Sequence, residues 1–164
     1  MITFASGYFI TPYMTENSST NNIHITEATG YRPDLLDAVN RLLPQLDPYA
    51  RPATEADLQT IITSTNSHLF FARIDGVIAA MCTLCVYASP TGCKAWVEDV
   101  GTDKAFRGRG IGRMLIRHAI VKAQEYAPCT LMLTSRPARE AANRLYQSMG
   151  FVRKETNVYK MDIG

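Results

Sequence analysis

The stretch Ala95-Trp-Val-Glu-Asp-Val-Gly-Thr-Asp-Lys-Ala-Phe-Arg-Gly-Arg-Gly-Ile-Gly-Arg-Met-Leu-Ile116 decides the fold, because an apolar strand pattern passes through three closely spaced glycines into a helix pattern. An anion belongs at that junction. Gly108, Gly110 and Gly112 lack a Cβ, so the backbone there can bend as other residues cannot and can approach a ligand closely. The first N–H groups of the helix have no partner within it and lie at the positive end of its dipole, which suits a phosphate or pyrophosphate. Arg107, Arg109 and Arg113 add full positive charge around the loop.

Downstream, Ile111, Gly112, Leu115, Ile116, Ala119, Ile120 and Ala123 share one helical face, which predicts an amphipathic helix lying on a sheet with His118 on its solvated side. Pro128 ends that helix. Thr130 to Thr134 then reads as a short apolar strand parallel to the one before the loop. Ala138 to Met149 predicts a last helix stopped by Gly150, and Phe151 to Met161 one or two closing strands.

Upstream, Asp75-Gly76 between His68–Ile74 and Val77–Tyr87 is the signature of a tight antiparallel hairpin, and Ser89-Pro-Thr-Gly92 turns the chain again into a strand over Lys94–Asp103. Pro33 and Asp34 open a helix that Pro44 to Pro48 close. Thr54 with Asp57 caps a second helix, and Ile23–Glu27 alternates as a first strand. The segment Asp47 to Pro52 between the helices lines a site or merely connects them. His24 reads as a structural or surface side chain and His68 as a surface one.

Composition narrows the class. With 164 residues, 46% hydrophobic and 20% charged, the chain fits a single domain over residues 23–164, with a polar, flexible arm over residues 1–22 and Met14 as an alternative start. A net charge of +2 is too small for the broad basic surface of a nucleic-acid binder. No apolar run is long enough to span a bilayer, and the first Lys or Arg is Arg32, so the positive flank of a signal peptide is missing and the reading is cytoplasmic. Cys82 and Cys85 lie on a strand, where an odd separation sends them to opposite faces; Cys93 and Cys129 stand alone. Reduced thiols and no metal site are expected.

Arg107-Gly-Arg-Gly-Ile-Gly112 after an apolar strand, Leu145-Tyr-Gln-Ser-Met-Gly-Phe151 near the end, and the order of elements from Ile23 to Met161 together resemble the GNAT superfamily of N-acetyltransferases. The resemblance implies an α/β (α+β) fold: a mixed, mostly antiparallel sheet flanked by helices and splayed between its fourth and fifth strands. Acetyl-CoA is then the co-substrate, its pyrophosphate on the backbone from Arg107 through Gly108, Arg109, Gly110 and Ile111 to Gly112 with Arg113 beside it. Val100 and Thr102 would offer backbone groups to the pantetheine arm. Glu98 resembles the acid that takes a proton from the substrate ammonium, although binding a substrate cation or pairing with an arginine would equally occupy it. Asp99 points to the opposite face of an ideal strand and is the reserve base should a bulge turn it. Tyr146 resembles the tyrosine beside the CoA sulfur, with a core aromatic as the plain alternative.

One departure stands out. Seven residues before Tyr146 many members carry asparagine where this chain has Arg139, so that contact is altered or moves to Asn143, or Arg139 meets a CoA phosphate. Trp96 shares a strand face with Glu98 and lines an acceptor pocket or fills core. The implied acceptor is a primary amine of a small molecule, peptide N-terminus or lysine, attacked directly in a ternary complex because no cysteine or serine is placed as a covalent carrier. No metal, nucleic acid or membrane is implied, and a homodimer through the late strands is common among such proteins. The alternative from another class is a non-catalytic module that binds and senses acyl-CoA.

Overall fold

The computed structural model describes residues 22–163. The expected arm over residues 1–22, with Met14 as a start, falls almost wholly outside that range. The sheet grows from the hairpin: Asp75 (φ 49°) and Gly76 (φ 82°) both take the positive φ that a two-residue turn of matching twist needs. They join β2 (Ser67–Ile74) to β3 (Val77–Ser89), which pairs onward with β4 (Gly92–Thr102). β1 (Ile23–Glu27) adds to the outer side of β2, and β5 (Cys129–Leu133) runs parallel to β4, giving five strands in the order β1-β2-β3-β4-β5.

Alternation along these strands makes two cores. Phe70, Ala72, Ile74, Cys82, Leu84, Ala95 and Val97 face α3 (Ile111–Gln124), whose Ile111, Leu115, Ile116 and Ala119 are almost wholly buried. Leu69, Phe71, Ile78 and Met81 face the other way, against Leu35, Val39 and Leu42 of α1 (Pro33–Leu46) and Leu58 of α2 (Glu55–Thr63). Each Leu, Ile, Val, Phe or Met among them contributes roughly 1.5–3 kcal/mol on burial. Cys82 and Cys85 do part to opposite faces, as the strand reading requires.

Local signals set the helix ends. At α2 the Thr54 hydroxyl accepts from the Asp57 amide while the Asp57 carboxylate accepts from the Thr54 amide, the expected capping box. Pro44 sits inside the last turn of α1, and the helix ends at Leu46, within the expected Pro44 to Pro48 stretch. The last helix, α4 (Glu140–Ser148), stops before Gly150 at φ 94°.

Three expectations fail. No strand follows α4 among the described residues: Phe151 packs on the α3-side core, but Val152, Val158, Tyr159, Met161 and Ile163 are exposed. The polar run Arg153 to Asn157 interrupts the alternation and leaves that span no apolar face to bury. His68 is buried, not on the surface; its Nδ1 lies 2.6 Å from Glu27 Oε1 and its Nε2 2.6 Å from the Tyr126 hydroxyl. His118 is half-buried with its ring edge-to-face on Phe70, 4.8 Å between centroids.

Candidate active site

β4 and β5 part company. Their pairing ends at Val97 with Leu133, yet β4 continues to Thr102, so its last residues have a partner only in β3. The fork opens there. Asp103 donates its amide to the Ala79 carbonyl at 2.8 Å, so strand alternation aims the backbone groups of Thr102 and Val100 away from β3, into the fork. Arg107 lies across the opening with its Nε donating to the Thr102 carbonyl at 3.1 Å.

A bulge sits at the fork. Thr83 pairs with Glu98 and Met81 with Gly101, so Asp99 and Val100 together oppose Cys82, and Asp99 takes φ 51°. The extra residue leaves Asp99 beside Glu98 instead of on the far face. Desolvation by surrounding protein pushes both carboxyl groups above the ordinary range although both remain open to solvent, and the Asp99 charge raises Glu98 further. The same two charges add to the desolvation that raises the Cys85 thiol, so Cys85 shares this face.

Next to the fork stands the start of α3. Gly108 (φ 77°) and Gly110 (φ 75°) are both left-handed, and Gly110 as N-cap supplies no side chain to the amides that follow. A Cβ on either glycine would meet nothing within 4 Å, so no neighbour crowds these two positions. Gly112 lies closer in, its Cβ position 3.5 Å from Leu145 Cδ2 and 3.9 Å from Thr102 Oγ1, which brings α4, α3 and the end of β4 to one place. The flanking arginines are already held: Arg109 stacks its guanidinium over Phe106 at 5.4 Å, and Arg113 donates to Ser148 Oγ at 2.7 Å.

Tyr146 completes this side. It is 7% exposed, edge-to-face with Phe151 at 6.0 Å, and no described residue hydrogen-bonds its hydroxyl. Burial pushes its phenol above the usual value, with Arg139 opposing and Cys82 adding. Arg139 itself does not reach the glycine loop; its Nη2 donates to the Leu46 carbonyl at 3.0 Å and so caps the end of α1. Asn143 donates to the carbonyls of Arg136 and Pro137, bracing the loop between β5 and α4.

Two features escaped sequence reasoning. Trp96 donates its indole N–H to the Tyr87 hydroxyl at 3.2 Å, making a partly exposed aromatic pair on the face of Glu98. Counting back from the Ser89–Gly92 turn sets Cys85 opposite Trp96, so the parity of Tyr87 was the available signal. The second is a clamp: Arg41 of α1 pairs with Asp103 and donates to the Ile78 carbonyl at 2.7 Å, and Gln45 accepts from the Lys104 amide at 2.9 Å. No sequence spacing announces contacts that join α1 to the end of β4.

An uncapped helix start beside a forked sheet defines a class, and the chain belongs to the acetyltransferase (GNAT) family, whose model matches residues 34–151. Over 58 residues it is 38% identical to a ribosomal protein bS18-alanine N-acetyltransferase of Salmonella typhimurium, a match covering 35% of this chain and 39% of that relative. Among solved structures, an Agrobacterium tumefaciens putative acetyltransferase superposes with a TM-score of 0.74 at 28% identity, covering 85% of this chain and 99% of that one. An aminoglycoside N-acetyltransferase solved with CoA has the same fold, with a TM-score of 0.72 at 19% identity over 86% of this chain and 95% of that one.

Proposed function

We propose that the protein transfers an acetyl group from acetyl-CoA to a primary amine by direct attack in a ternary complex. The observation that carries this reading is the convergence, around one fork, of the uncapped start of α3, the unpaired end of β4 and the free Tyr146 hydroxyl. Residues and co-substrate fit: the open left-handed loop at Gly108 and Gly110 and the amides of Ile111, Gly112 and Arg113 would hold the pyrophosphate. Val100 and Thr102 would hydrogen-bond the pantetheine as if it were an added strand, once Arg107 releases the Thr102 carbonyl to reach a phosphate. Bound acetyl-CoA supplies the activated thioester. Arg139, committed to Leu46, acts by fixing α1 against α4, and Asn143 by shaping the loop before α4.

Glu98 accepts the proton of the acceptor's ammonium at its carboxylate, directly or through water, and Asp99 beside it holds the cation. Tyr146 presents its hydroxyl hydrogen to the departing sulfur. Trp96 and Tyr87 give the apolar part of the acceptor a surface, so a small-molecule amine, a peptide N-terminus or a lysine with carbon adjoining the nitrogen suits the site. The test offers acetyl-CoA with an amine panel and follows free thiol. Thiol release that Glu98→Gln and Tyr146→Phe both slow, with CoA still bound, is expected. No release across the panel would leave a module that binds acyl-CoA without turning it over.

A further inference from the structure

β4 and β5 each carry a cysteine at or next to their first residue. Cys93 is the second residue of β4 and Cys129 the first of β5, and the parallel register sets them directly opposite one another. Their Sγ atoms are 3.1 Å apart, and both side chains are half-buried against the α3-side core. Neighbouring strands run about 4.8 Å apart, inside the Cα span of roughly 4.4–6.8 Å that a disulfide requires. Cys82 and Cys85 lie on opposite faces of β3, so this is the one pair among the four cysteines that the fold holds in contact.

We propose that Cys93 and Cys129 are a disulfide-forming pair, closed by a low-molecular-weight disulfide of the glutathione class, which ties β4 to β5 four residue pairs before the fork opens. The thiolate of one cysteine attacks a sulfur of oxidised glutathione, forming a mixed disulfide and releasing one glutathione thiolate, which takes up a proton. The second cysteine gives its proton to solvent and attacks the protein-side sulfur. The Cys93–Cys129 bond forms, the mixed disulfide breaks, and a second glutathione leaves as thiol. Two protein thiols are oxidised and one glutathione disulfide is reduced, so the exchange balances. Desolvation and the shared Cys93 contact push the Cys129 thiol up to about 11, so closure is slow at neutral pH and quickens as pH rises.

The folded full-length protein is incubated with oxidised glutathione, denatured in acid, and its thiols counted alongside the intact mass. The expected result is loss of two of the four thiols with no glutathione attached, reversed by dithiothreitol, and unchanged in Cys82→Ser and Cys85→Ser. Cys93→Ser and Cys129→Ser should each form no internal disulfide and carry at most one glutathione. Fragment mass spectrometry of the wild-type protein, which needs no variant to fold, should join the Cys93 segment to the Cys129 segment. Survival of all four thiols in the folded protein, or a linkage through Cys85, would overturn the proposal.

Discussion

Glu98 and Asp99 crowd two carboxylates onto one exposed sheet face, and each is harder to ionise there than in water. A base must be deprotonated, so turnover should fall as pH drops through a range above the ordinary carboxylate value. Asp99→Asn removes the neighbouring charge and should move that limb to lower pH, while Glu98→Gln should abolish it and lower kcat about a hundredfold. Stability responds in the opposite sense. A carboxylate whose folded pKa is raised favours folding while it is protonated and loses that contribution as pH rises through the raised value, so Asp99→Asn should not lower Tm at neutral pH. Tyr146→Phe deletes a hydroxyl that no described residue hydrogen-bonds, so Tm should hold while kcat drops at least tenfold at unchanged CoA affinity. The placement of Glu98 and Tyr146 near the fork was legible because the motifs beside them fix the strand and the helix that carry them. That Asp99 joins Glu98 was not, since a bulge depends on how β3 registers against β4.

At the scale of elements, the glycine loop combines two needs at once. Gly108 and Gly110 adopt a conformation costing a side chain about 1–2 kcal/mol each, and a Cβ on either would meet no neighbour. Gly108→Ala or Gly110→Ala should therefore weaken CoA binding about tenfold in calorimetry, by strain and not by collision. Gly101 is the opposite case, because a Cβ there would come within 3.0 Å of Leu46 Cδ1 and press on α1. The hairpin at Asp75-Gly76, the capping box at Thr54 and the helix after Gly110 were readable because a few adjacent residues dictate each. The contact of Cys93 with Cys129 was hidden for the contrary reason: it exists only when two strands separated by a whole helix align. The tail after Phe151 misled because its apolar residues are real but its polar middle denies them a common face.

The whole molecule is closed by long-range clamps. Arg41 and Asp103 fasten α1 to the end of β4, and Arg139 fastens the same helix to the start of α4. The Ala105 amide, with Arg41 nearby, holds the Asp103 carboxyl below the usual range. A carboxylate with a lowered folded pKa contributes stability that is present at neutral pH and lost as pH falls through the ordinary value toward the folded one. Asp103→Asn should lower Tm at neutral pH by several degrees, on the order of 1–2 kcal/mol, and the gap from wild type should close on acidification. A gap that persists in acid would mean the side chain acts by shape alone.

The unpaired end of β4 carries one more consequence. From Glu98 to Thr102 it is an edge strand in the interior of a sheet, and open edges invite the strands of other chains. On the proposed function the co-substrate covers that edge, so bound acetyl-CoA would also shield it from the strands of other chains. Without it, the chain would keep that stretch of backbone uncovered.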